Sequence, residues 1–273
     1  MHQSLRWSSP VLFNDPFDVP RELSFGLTPE DLDLALARRV ASLIEHPPKD
    51  TSHLEPKLRL VVNTVRSGIS LDLKQQLLAG LIGFAASHRP TSESMDALRD
   101  QWRTWLPDHR ILCLTESAAH VAMWYHYADQ YRGVVLEFNC VDELDSAWLA
   151  ARPVTYPLAK PMIYTADGWA ELLTKPNQSA IRAILHTATY TKSSDWSYEA
   201  EWRVASFKRS TDTGLFTDYK FDRRELAAVY LGPMISQADR QSLETVAKRF
   251  PGAKLWNVSI GMNREFALSE AVA

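Results

Sequence analysis

The sequence predicts an α+β protein, a single domain over residues 1–273 with a mixed or antiparallel β core and a helical insertion at about residues 28–106. Three observations carry that expectation. Between Thr28 and Trp105 apolar residues recur at helical spacing, with charged residues on the opposite faces. From Arg110 onward the runs shorten and alternate as strands do, with helical stretches between them. Proline, glycine and serine are scattered, and no flexible linker is long enough to separate folding units.

The elements follow in order. Pro10, Asn14, Asp15, Pro16 and Pro20 make the first twenty residues a short extended piece and a tight turn, because proline fixes φ and short polar side chains bond nearby amides. Thr28-Pro29-Glu30 supplies an N-cap, a proline at the first helical position and an acidic first turn, and Leu32, Leu36, Val40 and Leu43 then repeat at helical spacing. Further helices are expected over Leu54 to Val65, Leu71 to Ala86 and Ser92 to Trp105, separated by Gly68, by His88-Arg89-Pro90 and by Pro107. Ile111 to Leu114 reads as a strand. Ser117 opens a helix through Tyr131, and Gly133 releases it into the strand Val134 to Phe138. Val154-Thr155-Tyr156 gives a weak extended signal, and a helix is placed over Asn177 to Thr189. Strands are placed at Trp202 to Lys208, Ala227 to Leu231 and Lys254 to Ser259. A helix capped by Ser236 and stopped by Pro251-Gly252 joins the last two.

Composition excludes several classes. The net charge is -3 with 45% hydrophobic residues, which is globular and gives no general attraction to phosphate backbones. No run of about 18 apolar residues and no secretory leader occurs, so a cytoplasmic protein without a membrane segment is expected. Cys113 and Cys140 lie in strand-like runs, which fits a reducing compartment. No metal site is expected, because Glu116, His120 and His126 do not share the spacing that converges on one ion. Glycine-rich phosphate loops and nucleophile elbows are absent as well.

Chemistry concentrates in Trp196-Ser197-Tyr198-Glu199-Ala200-Glu201-Trp202-Arg203. If this run enters a strand, Glu199 and Glu201 share one face with Cα atoms roughly 6.6 Å apart, between Tyr198 and Trp202 as apolar walls. Such a pair suits cleavage at an anomeric carbon: one carboxylate stabilises the developing cation and the other deprotonates the nucleophile. The plainer alternative makes both glutamates solvent-facing, with Arg203 a surface partner. On Met123-Trp124-Tyr125-His126-Tyr127-Ala128, Trp124, Tyr127 and Tyr131 are expected on one helix face as core, while His126 points elsewhere and either lines a ribose or nicotinamide pocket with Tyr125 and Asp129 or is a partly buried, hydrogen-bonded histidine. Asn14 and Asp15, in Phe13-Asn14-Asp15-Pro16-Phe17-Asp18, either hold a turn or recognise hydroxyl and amide groups of a ligand.

Taken together and in this order, these three motifs resemble a widespread bacterial family called domain of unknown function 2971, with the likeness spanning nearly the whole chain. Glu199-Ala200-Glu201 is also similar, more loosely, to the Glu-x-Glu of ADP-ribosyltransferases. That second resemblance implies an ADP-ribosyltransferase-like β core and NAD as substrate. It further implies a Glu201 that grips the ribose and steadies the cation, and a Glu199 that acts on the acceptor. Asn14, Asp15, Trp124, His126, Tyr127 and Arg203 would then bind NAD. Transferases of this kind also carry an Arg- or His-bearing first strand, and related sequences have a tyrosine-bearing strand before the segment that here is Leu5-Arg6-Trp7. Arg6 or His2 is the candidate to stand in.

The resulting expectation is transfer of ADP-ribose from NAD to a macromolecular acceptor, as a toxin or phage-defence effector with a possible antitoxin or partner protein. Its rivals are a non-catalytic sensing or interaction module and an NAD or nucleoside N-glycosidase.

Overall fold

The computed structural model describes residues 3–85, 89–159, 165–250 and 252–271. It is α+β, as the sequence predicts, and the chain divides into two compact units. One, the sheet unit, comprises residues 1–12, 108–154 and 195–273; the other, the helical unit, comprises 13–107 and 155–194. The helical part therefore draws on a second stretch of chain beyond the 28–106 insertion.

The helical unit holds α1 (Pro29–Glu45), α2 (Pro56–Arg66), α3 (Leu71–Ala85), α4 (Arg89–Trp105), α6 (Ala166–Leu173) and α7 (Asn177–Tyr190). Thr28 closes a capping box with Asp31 at the start of α1, because its side-chain oxygen meets an amide that no helical carbonyl can reach. Leu32 and Leu43 are buried on the inward stripe of that helix. Phe25 and Trp169 pack with ring centroids 4.2 Å apart, and the Trp102 indole N–H donates to the Pro20 carbonyl at 2.9 Å. Arg89 and Pro90, expected as a break, lie in the first turn of α4, where a proline costs no hydrogen bond. Ala86 and His88 lie outside the described residues.

The sheet unit is built from two sheets. In the first the strand order is β4-β5-β2-β1-β6, all antiparallel, from β1 (Ser4–Ser8), β2 (His109–Thr115), β4 (Arg152–Pro153), β5 (Glu201–Phe207) and β6 (Phe216–Lys220). Trp7, Trp148 and Val204 form the core on one of its faces, joined by Leu5, Leu112, Leu114 and Tyr219. The second sheet runs β3-β7-β8-β9, from β3 (Val134–Phe138), β7 (Leu226–Leu231), β8 (Lys254–Ile260) and β9 (Phe266–Glu270), with only β7 and β8 parallel. The parallel pair is linked through α8 (Gln237–Ala247), since a crossover is what parallel strands require. Alternation along the strands sends Val134, Val229, Leu231 and Leu255 to the face where Leu243 of α8 packs. It sends Val135, Tyr230 and Val258 to the face where Trp124 packs.

Three local differences from the sequence expectation matter. The helix foreseen from Ser117 to Tyr131 is the single short α5 (Val121–Tyr127), because Asp129, Gln130 and Tyr131 all take positive φ. The strands β6 and β9 and the helix α6 are not among the elements expected from sequence. Glu199 is also not a strand residue: it ends a 3-10 helix over Ser194–Glu199.

Candidate functional site

Glu201 opens β5 and pairs across to Thr115 of β2, while Arg203 pairs across to Cys113. Side chains two apart on a strand share a face, so Glu201 and Arg203 meet. The Arg203 Nε donates to Glu201 Oε1 at 2.7 Å and its Nη2 donates to Oε2 at 2.9 Å. The fork is almost wholly shut from solvent, Arg203 at 0% and Glu201 at 4% exposure. The pair that the plainer alternative put on the surface is thus a buried, bidentate one, a geometry that fixes both planes.

Glu199 and Glu201 do not share a strand face. Between them Ala200 turns left-handed, with φ +43°, and its N–H donates to the Ser197 carbonyl at 3.3 Å to close the preceding helical turn. The Thr115 hydroxyl donates to the Glu199 carbonyl at 3.0 Å, and the Val154 N–H donates to the Glu201 carbonyl at 2.8 Å. These bonds hold the backbone on either side of the kink. The spacing of a regular strand therefore does not apply, yet both acids are still turned inward, Glu199 at 1% exposure.

Tyr127 reaches this pair from the end of α5. Its hydroxyl donates to Glu199 Oε1 at 2.8 Å, although its ring is largely exposed. Burial around the hydroxyl raises its pKa above the ordinary phenol value, and the hydrogen bond to Glu199, the charges of Glu199 and Glu201, and Cys113 push in the same direction. Tyr127 is thus a neutral phenol facing two acids. Cys113, an exposed thiol on a central strand, sits next to this group through its pairing with Arg203. No local spacing links Cys113 to the two acids; only strand register brings it here.

The aromatic surroundings are arranged otherwise than the motif suggests. Tyr198 stacks on His120, centroids 5.7 Å apart and planes at 22°, and Trp196 lies 5.9 Å from Tyr198. Trp202 alternates to the other face from Glu201, where its indole N–H donates to Glu116 Oε1 at 2.5 Å, so it does not wall the glutamates. The His120 Nδ1 is buried and makes no hydrogen bond among the described residues.

The other expected site residues fall as follows. Trp124 is core: it is 1% exposed, donates to the Ala118 carbonyl at 2.6 Å and packs with Val258 and Phe266. Tyr131 joins that cluster while Tyr127 leaves it, because the helix ends before the two can stack on one face. His126 is exposed and touches only its neighbours Tyr125 and Tyr127 edge-on among the described ring contacts. In the helical unit, Asn14 is exposed and Asp15 Oδ1 accepts from the Phe17 N–H at 2.8 Å, which is the turn-holding alternative. Arg6, on β1, pairs with Asp218 at 3.4 Å and covers the Phe216 ring; His2 lies outside the described residues. No group of three or more metal-ligating side chains occurs among the described residues, and none of their helices is long and apolar enough to cross a membrane.

Residues 123–204 match the profile of a family described as a protein of unknown function, DUF2971. The matched stretch runs from α5 to the first residues of β5, and so contains Tyr127, Glu199, Glu201 and Arg203 together. No curated protein and no solved structure matches the chain.

Proposed function

We propose that this chain acts on NAD as an ADP-ribosyltransferase-like protein, with Glu199 and Glu201 as its acidic centre. The observation that carries this reading is the 2.8 Å hydrogen bond from Tyr127 to Glu199, which tethers an exposed ring to a buried acid next to a second one. The exposed ring face gives a flat base a surface to stack on. In the reaction the bond from ribose C1′ to the nicotinamide nitrogen breaks, nicotinamide leaves neutral with the electron pair, and the acceptor bonds to C1′ and gives up a proton. Glu201, oriented by the Arg203 fork, accepts the ribose 2′-hydroxyl on a remaining lone pair and steadies the cation; Glu199 takes the acceptor proton. The acceptor is a macromolecule, the setting is the cytoplasm, and a toxin or phage-defence effector held by a partner protein is the role this chemistry serves.

The test is incubation with adenine-labelled NAD and cell lysate. Label should appear on macromolecules and fall by at least about a hundredfold in Glu201→Gln, with a loss of about tenfold in Tyr127→Phe. Absence of label, or label indifferent to Glu201→Gln, overturns the proposal, and free ADP-ribose without a modified acceptor assigns hydrolysis instead.

One observation favours a second reading, a non-catalytic sensing or interaction module: both Glu201 oxygens are engaged by the buried Arg203. On that reading Glu201→Gln lowers the melting temperature while NAD produces no calorimetric signal with either protein.

A further inference from the structure

The first sheet carries a concave site on the face opposite the two acids. Register places Glu201 and Arg203 on one side of that sheet and Trp7, Tyr219 and Val204 on the opposite side. On the latter side lies an open cavity of about 370 Å³ lined by Trp7, Trp148, Tyr219 and Phe221, with Asp145, Asp222 and Glu225 also in its wall. That volume lies at the lower end of small-molecule pockets.

Charge and hydrogen bonding limit what fits. Glu225 is 5% exposed, and its oxygens accept only from neutral donors among the described residues, the Ser146 hydroxyl and, at 2.6 Å, the Asp222 N–H. Arg224, which also feels the charge of Glu225, makes its ion pair with Asp222. Asp145 is exposed and makes no ion pair among the described residues. Lys220 also borders the cavity, but it lies between Tyr219 and Phe221 and so alternates to the other face of the strand. Aromatic walls beside unbalanced carboxylates attract a cation twice over, by the ring quadrupoles and by the net negative charge.

We propose that this cavity is a binding site for a small organic cation of the quaternary-ammonium type. The site is independent of the acids on the opposite face and stands whether or not they react with NAD.

Calorimetric titration with choline and with its neutral isostere 3,3-dimethylbutan-1-ol tests it. Choline should bind saturably and about tenfold or more tighter than the isostere, and Asp145→Asn should weaken it several-fold. Glu225→Gln should weaken it further; because Glu225 also caps a turn, its melting curve is recorded alongside, and Asp145→Asn, at an exposed position, is the variant that decides. Equal binding of the two compounds, no saturation by choline at about 10 mM, or an unchanged affinity in folded Asp145→Asn would each overturn the proposal.

Discussion

At the residue scale the buried Arg203–Glu201 fork dominates, because charges taken out of water are tolerated only when geometry and hydrogen bonds compensate their lost hydration. Arg203→Met is expected to cost about 3–5 kcal/mol in urea denaturation, since it strips Glu201 of its bidentate partner; the double variant with Glu201→Gln should recover part of that loss. His109 makes a pH prediction. Burial, reinforced by the charges of Arg110 and Arg203, lowers its pKa from 6.5 to about 4. A group whose folded pKa is depressed contributes stability above its unfolded pKa and loses it as pH falls toward the folded one. Stability should therefore drop by a few kcal/mol, on the order of 3, between pH 6.5 and 4, and His109→Phe, which keeps a ring against Phe207, should flatten that slope in pH-dependent denaturation. The sequence singled out Glu199, Glu201, Arg203 and Tyr127, but not who pairs with whom. Arg203 as a buried partner and Tyr127 as a donor to Glu199 follow from cross-strand register and from where α5 stops.

At the element scale the decisive features are short and strained. Three consecutive residues, Asp129 to Tyr131, hold positive φ after α5, and Gly232 lies against that turn so closely that a Cβ would sit 2.3 Å from the Tyr131 carbonyl oxygen. Gly232→Ala should therefore destabilise by more than about 2 kcal/mol, because the obstacle is backbone. Gly80→Ala, in α3 with open space around it, should stabilise by about 0.5–1 kcal/mol through helix propensity; thermal melts of the two variants check the contrast. Helix entry at Thr28 and at Ser236, and the strands β2, β3, β7 and β8, were legible because a cap or an apolar alternation marks them. The end of α5 was not, since Tyr131 continues the apolar helical spacing while its backbone leaves the helix. The same limit hid the kink at Ala200, where alanine gives no sign of a left-handed residue.

At the scale of the whole molecule, each unit is assembled from distant segments. Strand β1 is filled from the first residues of the chain yet lies between β2 and β6, pairing residues 4–8 with 216–220. Removal of residues 1–8 would expose β2 and β6 and delete Trp7 from the core, so loss of cooperative unfolding and of near-ultraviolet dichroism from the sheet unit is expected. The sequence by itself determined the α+β class, the run of helices after Thr28, most strands after Arg110 and the stretch in which acids and rings concentrate, because periodicity and capping are local properties. Only tertiary structure decided the strand order, the division into two units, the burial of Glu199 and Glu201 and the cavity behind Trp7. Those depend on pairing between residues more than two hundred positions apart, and no local spacing records which distant strand supplies a neighbour.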